Sequence, residues 1–296
     1  MALAVLASVA LSAPTATAVP NLLSWLKAQP GGGLGPVNFG VSECGAGGGV
    51  FASRAIDDGE ALLSIPVSCI ITSSLGGAPL DVVRAAGGEE GERAALAAYV
   101  ARQQLSSSSP YNEFLAVLPQ RATGDLHMLW WGESEVGELR GSTAFEECDS
   151  LRSEVDKVIE ELSQGEMSAE VTAHGQAAVA EAVRAAYVSV LSRCFTVPIG
   201  ISRTRVGGDG GFNPSGDDAK VEVGEGGEGG EEGEEGDSSE QLKALIPVLD
   251  FFQHGGEPSV NYQFEECPTT GVSLVVARSM GSHPMGTELR ITYGEG

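Results

Sequence analysis

Apolar positions change their period twice along this chain. Between about 36 and 73 they fall in short runs, "VNFGVSE", "GGVFASRAI" and "ALLSIPVSCIIT", parted by "GAGG" and "DDGE". Runs bounded by glycine and aspartate predict short strands. From about 80 to 195 apolar residues recur every three or four positions. "GERAALAAYVARQQL", "TAFEECDSLRSEVDKVIEELSQ" and "GQAAVAEAVRAAYVSVLSRCF" predict amphipathic helices. "SPYNEFLAVLPQ" and "LHMLWWGESEVGELRGS" lie between them. From 244 onward short runs return, "ALIPVLDFF", "VNYQFEE", "GVSLVVARS" and "ELRITYG", and predict strands again. Near the start, "NLLSWLKAQ" (21–29) predicts a short helix capped by Asn21 and stopped by Pro30.

Strands, then helices, then strands predict an α+β fold whose two distant β segments complete one unit around a helical insertion. The expected division is a leader at 1–20, a first β part at 21–73 and a helical insertion at 74–200. A loop at 201–243 and a second β part at 244–296 complete it. Within the loop, residues 207–240 are glycine, glutamate, aspartate and serine with almost no apolar content. Such a segment cannot bury enough surface to offset its ordering entropy, which predicts disorder.

Charge sharpens this picture. The 296-residue chain carries a formal net charge of -24. Residues 217–240 hold eleven acids and one lysine, so -10 of that charge sits in the loop. This balance argues against a nucleic-acid partner, which needs a basic face. The five cysteines, Cys44, Cys69, Cys148, Cys194 and Cys267, form no CxxC pair, and the four histidines no HxxxH. Neither a zinc site nor a disulfide framework is expected. "MALAVLASVALSAPTATAVP" has the small apolar run and the Ala-x-Ala end of a targeting segment, without a basic start. It suggests delivery to an organelle, a plastid among them, or secretion; as a plain alanine-rich leader it would leave the protein in the cytoplasm. It is too short to span a bilayer, and no other segment is expected to cross one.

Four stretches carry candidate chemistry, each with a plain structural reading. The glycine run before Val50 lacks the long helix that a dinucleotide loop must open, so it reads as a turn between strands. Ser192 and Arg193 end a helix. Asp250 and His254, in "LIPVLDFFQHGGEPSVNYQF", sit four apart where an apolar run stops, and would share a face if helical. Tyr293 follows a short strand and precedes a glycine.

Together and in order these stretches resemble SET-domain methyltransferases, in the class similar to the plant Rubisco large-subunit lysine methyltransferase and its actin-histidine-methylating relatives. Gly47-Gly48-Gly49-Val50-Phe51-Ala52 matches the family's Gly-x-Gly pattern. Ser192-Arg193-Cys194-Phe195 matches its Ser-Arg-x-Phe. Pro247, Asp250 and His254 match its Pro-x-x-Asp-x-x-Asn-His-Ser, and Thr292-Tyr293-Gly294 its Ser-Tyr-Gly. The resemblance implies short strands in small sheets, a helical insertion and a knot-like C-terminal segment.

It also implies an S-adenosylmethionine site built from Gly47, Gly48, Gly49, Ser192, Arg193, Asp250, Gln253 and His254. Tyr293 would be catalytic, Tyr262 would line the channel for the target side chain, and no metal is required. The implied substrate is a protein presenting a lysine. Methylation of a histidine, or a binding module without turnover, are the alternatives. Two positions depart from the pattern: Gln253 replaces asparagine, and Gly255 replaces serine, which is expected to loosen the turn. Family members continue past the Tyr-Gly into a helical substrate-binding domain, so the chain is expected to be a minimal unit or an incomplete one.

Overall fold

The computed structural model describes residues 17–42, 48–77, 88–121, 127–198 and 241–292, together with Leu80 and Val83. Helix α1 spans Ala18–Ala28 and buries Ala18, Leu22 and Leu26 on one face. It starts earlier than Asn21. Thr17 is its N-cap, and Asn21 is an exposed residue of the first turn whose N–H donates to the Thr17 carbonyl at 3.2 Å. It ends at Gln29, whose extended ψ of 143° is what a following proline imposes.

Four strands follow: β1 Gly33–Leu34, β2 Val37–Val41, β3 Gly48–Ala52 and β4 Ala61–Pro66. The run "ALLSIPVSCIIT" is two strands. At Pro66 the chain enters a 3-10 turn, Val67–Cys69, and re-emerges as β5, Ile71–Thr72. Proline has no N–H for a ladder, so a strand ends there readily. The break sends β5 to a different sheet.

The helical part contains α2 (Gly88–Leu105), α3 (Asn112–Leu115), α4 (Glu133–Glu138), α5 (Thr143–Gln164), α6 (Ser168–His174) and α7 (Gln176–Arg193). Helices α2 and α7 pack closely. Their facing sides are rich in alanine, with Ala94, Ala95, Ala97, Ala98 and Ala101 buried on α2, and Ala182, Ala185 and Ala186 on α7. Small side chains let two backbones approach, and the larger Leu96, Val183 and Tyr187 fill the remaining space.

Strand β6 (Cys194–Pro198) continues from α7, and β7 (Gln241–Leu245) pairs with it. Gln241–Lys243 therefore belong to a strand rather than to the acidic loop. The rest of that loop, 201–240, and residues 1–16 of the expected 1–20 leader lie outside the described residues, whereas positions 18–20 belong to α1.

The remaining strands are β8 (Gln253–His254), β9 (Val260–Glu266), β10 (Ser273–Ser279) and β11 (Glu288–Ile291). Among the described residues three small sheets result, in the orders β1-β4-β10-β9, β2-β3-β11-β8 and β5-β7-β6. Each mixes strands from the two ends of the chain. One apolar core runs through all three and most of the helices, and a smaller cluster of Met128, Val136 and Cys148 joins α4 to the start of α5.

The expected strand "ALIPVLDFF" is broken. After β7 the backbone turns at Val248, which has φ 70° and ψ -33°, and Leu249–Phe251 form a 3-10 turn. A β-branched residue at positive φ is strained. Val248 is also fully buried, so packing holds it there.

Candidate functional site

The candidate residues converge where the β7–β8 segment crosses the ends of β3, β11 and α7. Asp250 and His254 do not share a helical face. Asp250 sits on the 3-10 turn, His254 on the two-residue strand β8, and they point differently: Asp250 is buried and His254 exposed.

Asp250 turns inward to Arg193, the last residue of α7. Arg193 Nη1 donates to Asp250 Oδ2 at 2.7 Å, with the two side chains only 10% and 1% exposed. The Arg193 guanidinium also lies 5.9 Å from the Phe251 ring centroid, within cation–π range. Burial pushes the Asp250 carboxyl above its ordinary range, and the Arg193 charge pulls it back only in part. Arg193 Nε is buried without an acceptor. Ser192 plays no part in the pair. Its hydroxyl donates to the Val188 carbonyl at 2.6 Å, within the last turn of α7.

Gln253 reaches the glycine strand. Its Nε2 donates to the Gly48 carbonyl at 2.5 Å. Strand β8 also runs parallel to β11, with Gln253 opposite Arg290 and His254 opposite Ile291. Gly49 is glycine for a local reason: a Cβ there would stand 2.7 Å from Glu288 Oε1. Gly47 lies outside the described residues.

Tyr262, on β9, is half-buried and packs edge-to-face on Phe195 of β6, with centroids 5.8 Å apart. Burial raises its phenol above the ordinary range. Phe39 meets Phe251 in the same way at 5.9 Å. Tyr293 lies outside the described residues, and β11 ends at Ile291.

Residues that no motif singled out also hold this region. Ser42 donates to the buried Glu288 carboxylate, and Arg290 Nη2 donates to the same carboxylate at 3.0 Å. Ser42 and Glu288 are 246 residues apart in sequence, and no local spacing could have paired them. Gly255 is buried, and a Cβ there would lie 2.9 Å from Arg290 Cδ and 3.0 Å from Arg290 Cβ. Gly255 makes room for the Arg290 stem.

The arrangement sets a half-buried amide, an exposed imidazole and a side-chain-free strand start beside a buried ion pair. Polar groups surfacing at the end of a core segment suit a ligand with several hydrogen-bonding groups. Among the described residues no cluster of His, Cys, Asp or Glu could hold a metal ion. No helix among them is long and apolar enough to cross a membrane.

No family model matches this chain, and no curated protein matches it. Solved structures do. The chain is similar to the SET domain of LSMT bound to lysine and AdoHcy, with a TM-score of 0.61 and 16% identity over 95% of this chain and 55% of that one. It is also similar to the SET domain of LSMT bound to MeLysine and AdoHcy, with a TM-score of 0.60 and 17% identity over 94% and 53%. Rubisco LSMT bound to AdoMet matches with a TM-score of 0.53 and 16% identity over 94% and 53%. The chain spans about half the length of these proteins. At this identity the likeness speaks to fold: the chain has the α+β fold of a SET domain.

Proposed function

We propose that this SET-fold chain is an S-adenosylmethionine-dependent protein-lysine N-methyltransferase. The observation that carries the reading is the joining of Gly48, Gln253, Asp250 and Arg193 at one edge, on a fold whose similar structures hold AdoMet, AdoHcy and lysine.

The edge suits such a cofactor. Gly48 brings bare backbone to the surface, Gln253 and His254 bring polar groups, and the unpartnered Arg193 Nε lies just beneath. Gly47, Gly48, Gly49, Gln253 and His254 would hold it. Arg193 and Asp250 would keep the β7–β8 segment in position. S-adenosylmethionine supplies a methyl group on a sulfonium, open to in-line attack by an amine. The protein's part is alignment and electrostatics.

A lysine ammonium has a reference pKa of about 10.4 and must lose a proton before it can attack. A narrow apolar channel disfavours the charged form and favours that loss. Tyr262 and Phe195 supply an aromatic wall of this kind. Tyr293 would orient the amine through its hydroxyl. The target protein would present its lysine at the surface end of this wall.

Calorimetric titration with S-adenosylmethionine tests the reading. Binding in the micromolar range, on the order of 8 kcal/mol, is expected. His254→Ala should weaken it, and Tyr293→Phe should leave it nearly intact while removing most methyl transfer to a lysine-bearing protein. A folded chain that binds no S-adenosylmethionine would end the enzyme reading.

A further inference from the structure

Away from this edge, a cavity of about 230 Å³ opens between the helices of the insertion. Its lining includes Arg121, Arg152 and Arg184, with Asp156 as the sole acid, and the aromatic walls are Trp130 and Trp131. The grouping is unexpected in this chain. Only 17 lysines and arginines stand against 41 acids, yet three arginines meet at one small cavity.

Their existing partners leave donors unused. Arg184 Nη2 donates to Asp156 Oδ1 at 2.8 Å, its Nη1 lies 3.9 Å from Glu181 Oε2, and Arg152 Nη2 reaches Glu133 Oε1 at 3.4 Å. Glu133 is almost fully exposed, so water weakens that pair. Arg121 makes no ion pair among the described residues. Trp130 is only 8% exposed and forms a fixed wall of the cavity.

We infer that this cavity is a binding site for the phosphate group of a small molecule, separate from the methyl-transfer edge. Three guanidiniums around one space match a tetrahedral oxyanion with several acceptor oxygens. Arg152 and Arg184 are each three-quarters buried, so their charges act through a medium less polar than water. Asp156 also lines the cavity, and its charge is offset by its pair with Arg184. The volume admits phosphate or a compact phosphate monoester and is too small for a nucleotide.

Tryptophan emission reads this site directly, because two of the chain's three tryptophans form its wall. The full chain is titrated with inorganic phosphate at constant ionic strength held by chloride. A saturable change with a Kd near 1 mM or tighter is expected. Arg121→Gln and Arg152→Gln should each weaken it by roughly tenfold. Arg121 is exposed, so Arg121→Gln should leave the thermal midpoint unchanged. Glycerol phosphate then separates the sources: tighter binding than phosphate assigns a phosphorylated metabolite, and weaker binding assigns free phosphate. No saturable change, an equal response to chloride, or a phosphate response that both variants retain would each overturn the site.

Discussion

Gln253 and Gly48 lie 205 residues apart, and the Gln253 side-chain amide donates to the Gly48 carbonyl at 2.5 Å. This bond ties the end of the β7–β8 segment to the first residue of β3. Asparagine, one methylene shorter, would fall short of that carbonyl. The longer side chain is thus matched to this particular spacing.

Gln253→Asn should therefore destabilise the fold by about 1 kcal/mol, the net worth of one hydrogen bond. On the proposed function it should also weaken S-adenosylmethionine binding several-fold, because the glycine strand loses its tether. Chemical denaturation and calorimetry measure the two effects separately. An unchanged affinity would mean that Gln253 serves the fold alone.

The Arg193–Asp250 pair makes a second prediction. Removing Arg193 leaves the buried Asp250 carboxyl without its charge partner, so Arg193→Met should cost about 3–5 kcal/mol. Adding Asp250→Leu to Arg193→Met should recover much of the loss, since an apolar pair in the same space avoids the desolvation cost. Urea midpoints of the two single variants and the double variant form the test. Additive losses would show that the two residues act independently.

Gly255→Ser restores the residue that the SET-domain pattern carries at this position. Here it should destabilise by about 1–3 kcal/mol, because the new Cβ meets the Arg290 stem. Arg290→Ala in the same chain should relieve part of the clash, which a thermal midpoint comparison would detect.

His127 predicts a pH dependence. It is buried, its Nδ1 accepts the Leu129 N–H, and burial lowers its pKa to about 4. The unfolded chain, with a pKa of about 6.5, binds the proton more readily between those two values. The stability tied to neutral His127 is therefore full above about pH 6.5 and is lost as pH falls toward about 4, by at most ~3 kcal/mol. His127→Asn keeps a capping acceptor but removes the titration. Its stability should vary less between pH 6.5 and 4 than that of the parent chain, measured by urea unfolding at several pH values.

Local pattern determined the helices of the insertion. The apolar spacing in "TAFEECDSLRSEVDKVIEELSQ" predicts the span that α5 adopts, because helix period and capping act within a few residues. Strands β9 and β2 were legible for the same reason, from short runs between turn residues. The ordered motifs also pointed to the SET fold, since their order along the chain survives where overall identity is near 16%. Tertiary structure decided the rest. The pattern could not reveal that "ALLSIPVSCIIT" splits between two sheets, or that "ALIPVLDFF" turns at a strained Val248, because packing against distant strands sets both breaks. Nor could it pair Arg193 with Asp250, Gln253 with Gly48, or Ser42 with Glu288. Hydrophobic period is a property of neighbours in sequence. These contacts join residues 57 to 246 positions apart, and only the crossing of the chain's two ends brings them within reach.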